Sequence, residues 1–135
     1  MKFLRKRAPT RALTREELAA MALKNLCEEL KSLSEPYEVQ YEEMEDFARW
    51  NLPEETGLMW IDFYEVCFLP LLKELRGFSE EALSLLHAIS ENFEGAFKLV
   101  RKEYEVIWSH ESMKGHPFWE NQRNLAKQAL LLLER

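Results

Sequence analysis

The sequence predicts an all-α fold. Apolar residues recur at spacings of three and four through most of the chain, and no stretch alternates with period two for long enough to make a strand. Only four glycines and five prolines divide the 135 residues, so the elements are few and long. An apolar fraction of 47% with 12% aromatics supplies enough material for one core and excludes the disordered class. The expected architecture is a single-domain irregular bundle of about five helices in residues 14–135, preceded by a basic arm over residues 1–13.

The first helix opens at a capping box. The Thr14 hydroxyl can accept from the amide of Glu17, whose carboxylate reaches back. Leu18, Met21 or Ala22, Leu26, Leu30 and Leu33 then form one apolar stripe. Ser34-Glu35-Pro36 ends it and starts a second helix over about 36–50, with Pro36 in the first turn. On that helix Tyr37, Tyr41, Met44, Phe47 and Ala48 share one side. Glu38, Glu42, Glu45 and Asp46 share a side roughly opposite, with Val39 and Trp50 beside it. Asn51-Leu52-Pro53 is read as its end. Residues 57–76 are nearly all apolar and are expected to form the central helix, buried all round. Pro70 requires a kink there, or an end near Phe68 and a restart. Gly77 suits a left-handed terminator.

Ser79 is the cap of a fourth helix that the spacing carries to about Ser109. Leu86, Phe93, Val100 and Ile107 recur every seven, beside Leu83, Ser90, Phe97 and Tyr104, with a break near 90–95 expected at Ser90 and Gly95. Residues 109–116 read as a loop. Pro117 opens the last helix, with Phe118, Leu125, Ala129 and Leu132 inward. Cys27 and Cys67 fall in apolar helical patterns and read as small core residues of a reducing, cytoplasmic compartment. The longest uncharged apolar run, 66–72, is far too short to span a membrane. The amino-terminal stretch lacks the continuous apolar run of a secretory signal. It is Arg-rich and acid-poor like a mitochondrial presequence, but has few hydroxyls and a proline at position 9.

Charge is the most uneven property of the chain. Residues 1–15 hold six basic side chains and no acid, whereas residues 28–65 hold twelve acids against Lys31 and Arg49, a local net of −10. Such a block attracts cations and repels nucleic-acid phosphates. The acidic side of the second helix is therefore the first candidate site: Glu38, Glu42, Glu45 and Asp46, continued by Glu54, with Trp50 as an apolar anchor. The arm residues Arg5, Lys6, Arg7 and Arg11 fit three roles: binding an external anion such as nucleic acid or a membrane surface, folding back onto the molecule's own acidic patch, or a solvated tail.

Motifs for catalysis are sparse. His87 stands mid-helix, but Ile89 and Ser90 follow where a phosphorelay acceptor wants a basic residue and a glycine, so a histidine bonded to a neighbour is the expected reading. His110 and His116 flank the 109–116 segment and are two ligands where a metal needs three or four. Asp62 and Glu65 lie three apart on one face of the 57–76 helix, as an acidic pair or as charges that meet solvent or an arginine. No HExxH, CxxC or glycine-rich phosphate loop occurs, and no metal or cofactor is expected. The reading is a non-catalytic binding module for a basic protein. By charge and size alone, with no shared motif, it is analogous to the small acidic immunity or antitoxin proteins with which bacteria mask toxin nucleases. The alternative is a regulatory or nucleic-acid-associated protein acting through the basic arm.

Overall fold

The structure, a computed structural model, describes residues 11–135. These contain seven α-helices and no strand: α1 (Arg15–Ser34), α2 (Tyr37–Glu43), α3 (Leu52–Asp62), α4 (Glu80–Phe97), α5 (Arg101–Ile107), α6 (His110–Gly115) and α7 (Pro117–Leu133). A 3-10 turn, Asp46–Asn51, joins α2 to α3. A wider π-type segment, Phe63–Phe68, and a second 3-10 turn, Leu69–Glu74, continue from α3. The all-α expectation holds, with more and shorter elements than the spacing suggested. Among the described residues no helix is long and apolar enough to cross a membrane.

Helix α1 begins as the sequence requires. The Thr14 hydroxyl accepts from the Glu17 amide at 3.0 Å and the Glu17 carboxylate accepts from the Thr14 amide at 2.9 Å. Its buried stripe is Ala19, Ala22, Leu26, Leu30 and Leu33, so Leu18 and Met21 turn outward. Pro36 takes the cap position of α2, so the helix starts at Tyr37, one residue later than expected. The second helix then stops at Glu43 rather than running to Trp50. Arg49 causes this: its guanidinium returns to the end of α2 and donates to the carbonyls of Tyr41, Glu42 and Met44 at 2.9–3.1 Å. A helix end leaves such carbonyls without partners, so a cation there caps it. Beyond the break Phe47, expected on the inner side, is exposed, while Ala48 is buried.

Pro53 opens α3 instead of ending the helix before it, the position where a missing amide costs nothing. The 57–76 stretch is not a central helix buried all round. Trp60, Tyr64 and Phe68 form one buried aromatic column with ring centroids 5.6 and 6.0 Å apart, while Leu58, Met59 and Val66 face solvent. The helix gives way before Pro70, which sits near the start of the second 3-10 turn, and Gly77 adopts φ 67° as expected of a left-handed terminator. Arg15 bonds Glu74 at 2.8 Å and the Pro70 carbonyl at 3.0 Å, fastening that turn to the start of α1.

Helix α4 starts at its Ser79 cap but ends at Phe97, beyond the expected weak points; Ser90 and Gly95 remain inside it. The chain reverses through Val100 and Arg101, the latter at φ 54°, so that Trp108 returns against the end of α4. The Trp108 ring stacks on Phe97 at 4.1 Å and its indole N–H donates to the Ala96 carbonyl at 3.0 Å. Val100 is left exposed, off the heptad seam that its spacing suggested. Residues 109–116, expected as a loop, form α6 from a Ser109 cap. Helix α7 packs along both α1 and α4. Its buried residues are Trp119, Gln122, Arg123, Ala126 and Ala129, a face turned by about one position from the expected one. Cys27 is half-buried and Cys67 exposed, so only the first has the surroundings of a core thiol.

A candidate docking face on the Asp46–Asn51 turn

A 3-10 turn advances three residues per turn, so side chains at i and i+3 eclipse. Phe47 and Trp50 are such a pair. They are 79% and 78% exposed, the highest values among the large apolar side chains described. Leaving two aromatic rings in water forgoes burial of roughly 2 kcal/mol each. Phe47 was not singled out by the sequence, because a continuous α-helix places it inward.

The turn is held from two sides. On one, Arg49 caps α2, lies over the Tyr41 ring at 5.1 Å and pairs with Asp46 at 2.7 Å; Glu42 is 3.9 Å away. On the other, His110 of α6 reaches across: its Nε2 bonds the Trp50 carbonyl at 2.8 Å and its Nδ1 contacts the Tyr37 hydroxyl at 2.6 Å. The carbonyl can only accept, so Nε2 carries the proton and in the neutral ring the tyrosine donates to Nδ1. His110 and Arg49 are thus positioning residues, and neither was legible as one from spacing.

The carboxylates of the expected site divide into three groups. Glu38 and Glu45 are exposed and form no ion pair among the described residues. Asp46 and Glu42 share the single guanidinium of Arg49. Glu54 is half-buried and accepts from the Tyr104 hydroxyl of α5, which ties it to the protein's own framework. Burial, with the Glu54 carboxylate beside it, pushes Tyr104 up to about 12. The break at Met44 means that these acids do not line one helical face. One guanidinium offsets only one of the five negative charges at 38–46, so the surroundings of Phe47 and Trp50 stay anionic.

Of the arm residues, Arg5, Lys6 and Arg7 lie outside the described residues. Arg11 clasps Glu17 through two contacts of 2.8 and 2.6 Å and, with the Thr14 amide, holds that carboxyl at about 2. Among the described residues no group of three or more histidine, cysteine or acidic side chains is arranged to hold a metal. His116 caps α7 through Nδ1, accepting from the Phe118 amide at 3.0 Å, and His87 contacts the Tyr64 hydroxyl at 2.8 Å. Asp62 and Glu65 are both exposed and do not form a buried pair. Glu65 instead meets α4, where partial desolvation and the nearby Glu94 carboxylate push its pKa up. Compared with known proteins, the chain matches no family model, no curated protein and no solved structure.

Proposed function

We propose that this protein is a non-catalytic binding module that docks a basic protein partner on the Asp46–Asn51 turn. The observation that carries the reading is the eclipsed, exposed pair Phe47 and Trp50 set among carboxylates. Interfaces draw most of their energy from a few aromatic anchors, and surrounding charge of one sign speeds and selects the encounter. In the finer form of the proposal the partner is a toxin nuclease and the module an inhibitor of the immunity or antitoxin kind. Glu38 and Glu45 then take the places of substrate phosphates on the nuclease's basic surface, while the two rings fill its apolar recesses.

The test is affinity capture from the native host at low and high salt, followed by titration calorimetry with the purified partner. A partner with pI above about 9 is expected, bound at least tenfold more weakly by Trp50→Ala. The Glu38→Lys/Glu45→Lys double variant should slow association and flatten its salt dependence. If both variants bind the captured partner as the parent does, the proposed face is not the docking surface. If the partner is a nuclease, stoichiometric inhibition of its cleavage decides the finer form.

A further inference from the structure

Away from the exposed turn, a cleft of about 310 Å³ lies between the C-terminal half of α1, the end of α2 and α3. Its floor is apolar, built from Leu33, Leu52 and Phe63, and its rim carries Glu28, Glu29 and Glu43; no basic side chain lines it. Most polar groups along its wall are already satisfied. The Gln40 amide oxygen accepts from Arg123, the Thr56 hydroxyl donates to the Leu52 carbonyl, and the Ser32 hydroxyl donates to Glu43.

Trp60 is the exception. It lines the cleft, is 2% exposed, and its Nε1–H is buried without an acceptor. The three other indoles differ: those of Trp108 and Trp119 donate to backbone carbonyls, and Trp50 is exposed to water. Buried donors are rarely left unpaired, so an orphan beside a cleft calls for an acceptor from outside. Glu28, exposed, and Glu29, half-buried, form no ion pair among the described residues and leave this rim anionic.

The geometry points to a binding site for a primary ammonium that carries an apolar body and a neutral carbonyl: the ammonium at Glu28 and Glu29, the apolar body on the floor, the carbonyl at the Trp60 indole. An amino-acid amide has this constitution, and so has the N-terminal residue of a peptide. The volume is at the lower end of small-ligand sites, which suits a ligand of about twelve heavy atoms. Burial and the neighbouring Glu28 raise the Glu29 pKa, the state of a carboxylate that lacks a counter-ion. The site is separate from the aromatic pair and stands or falls without it.

The test follows the four indole N–H signals by nuclear magnetic resonance, assigned by single Trp→Phe variants, in the full chain. Phenylalaninamide should move the Trp60 signal saturably, with a dissociation constant on the order of 1 mM for its size, and leave those of Trp108 and Trp119 in place. N-acetyl-phenylalaninamide, which lacks the charge, and phenethylammonium, which lacks the carbonyl, should each bind about fivefold more weakly or worse. The anion 3-phenylpropanoate should not bind. Glu28→Gln with Glu29→Gln should weaken phenylalaninamide about tenfold, a readout that survives if Trp60→Phe fails to fold. The dipeptide Phe-Ala-amide separates the sources: tighter binding assigns a peptide N-terminus and weaker binding a free amine, and both uphold the site. No saturable shift of the Trp60 signal, or binding of the acetylated or the anionic probe as tight as that of phenylalaninamide, overturns it.

Discussion

The same substitution at two glycines should move stability in opposite directions. Gly57 lies inside α3 and Gly95 inside α4, and alanine is favoured over glycine in a helix by about 1 kcal/mol at either place. Around Gly95 a new Cβ meets no atom within 4 Å, so Gly95→Ala should keep most of that gain, about 0.5–1 kcal/mol. At Gly57 the Cβ would stand 2.8 and 3.0 Å from two carbons of the Trp108 ring and 3.1 Å from Phe97. Trp108 has little room to retreat. It stacks on Phe97 at 4.1 Å, meets Trp119 edge-on at 5.8 Å and is tied by its indole N–H to Ala96. Overpacking of this kind costs about 1–3 kcal/mol against the helix gain of about 1 kcal/mol, so Gly57→Ala should be a net loss of up to about 2 kcal/mol. Urea unfolding followed by circular dichroism measures both, and at this chain length each kcal/mol corresponds to about 4 °C in Tm. A Gly57→Ala protein as stabilised as Gly95→Ala would refute the reasoning, since Trp108 would then not be wedged against α3.

Three further outcomes follow from side-chain geometry. Arg123 of α7 is buried and donates to the carbonyls of Glu35 and Met113 and to the Gln40 side chain, besides pairing with Glu120. Arg123→Met should therefore cost about 3 kcal/mol in urea unfolding, whereas Glu120→Gln, at a side chain 57% exposed, should cost under about 1 kcal/mol. Because the folded Glu17 carboxyl sits at about 2, below its ordinary value, its contribution is fully present above the unfolded pKa near 4.5 and is lost as pH falls toward 2. Carbon-13 titration of Glu17 should give that midpoint, and Arg11→Ala should raise it. Removal of the ring by His110→Ala leaves the Trp50 carbonyl and the Tyr37 hydroxyl without their partner, so it should destabilise by about 1–2 kcal/mol and speed amide exchange across 46–51.

Local rules were readable wherever the interaction partners are close in sequence. The Thr14–Glu17 box, the Ser79 cap, the left-handed Gly77 and the restart at Pro70 each depend on residues within a turn of one another. Periodicity failed where a side chain folds back from beyond the helix end and competes for the backbone. Nothing in residues 36–50 marks a break at Met44, because Arg49 must fold back before the carbonyls of Tyr41 and Met44 have a better partner than the next amide. Likewise the heptad spacing through 86–107 is interrupted because Trp108 finds its place against Phe97 and Ala96. The apolar run 57–76 was read as buried all round because hydropathy counts side chains and not the faces that neighbours cover. The structure covers the Trp60–Tyr64–Phe68 column and leaves Val66 in water.

Sequence alone determined the helical class, the helix starts at Thr14, Ser79 and Pro117 and the concentration of acids over residues 28–65, because each follows from composition or from contacts a few residues long. Tertiary structure decided which of those acids remain unpaired, that Phe47 joins Trp50 in solvent, and that Trp60 keeps a buried N–H beside a carboxylate-rimmed cleft. The physical reason is range. Capping and periodicity act within a turn or two, whereas burial, ion pairing and hydrogen-bond satisfaction depend on residues such as Tyr37 and His110 that meet across 73 positions of the chain.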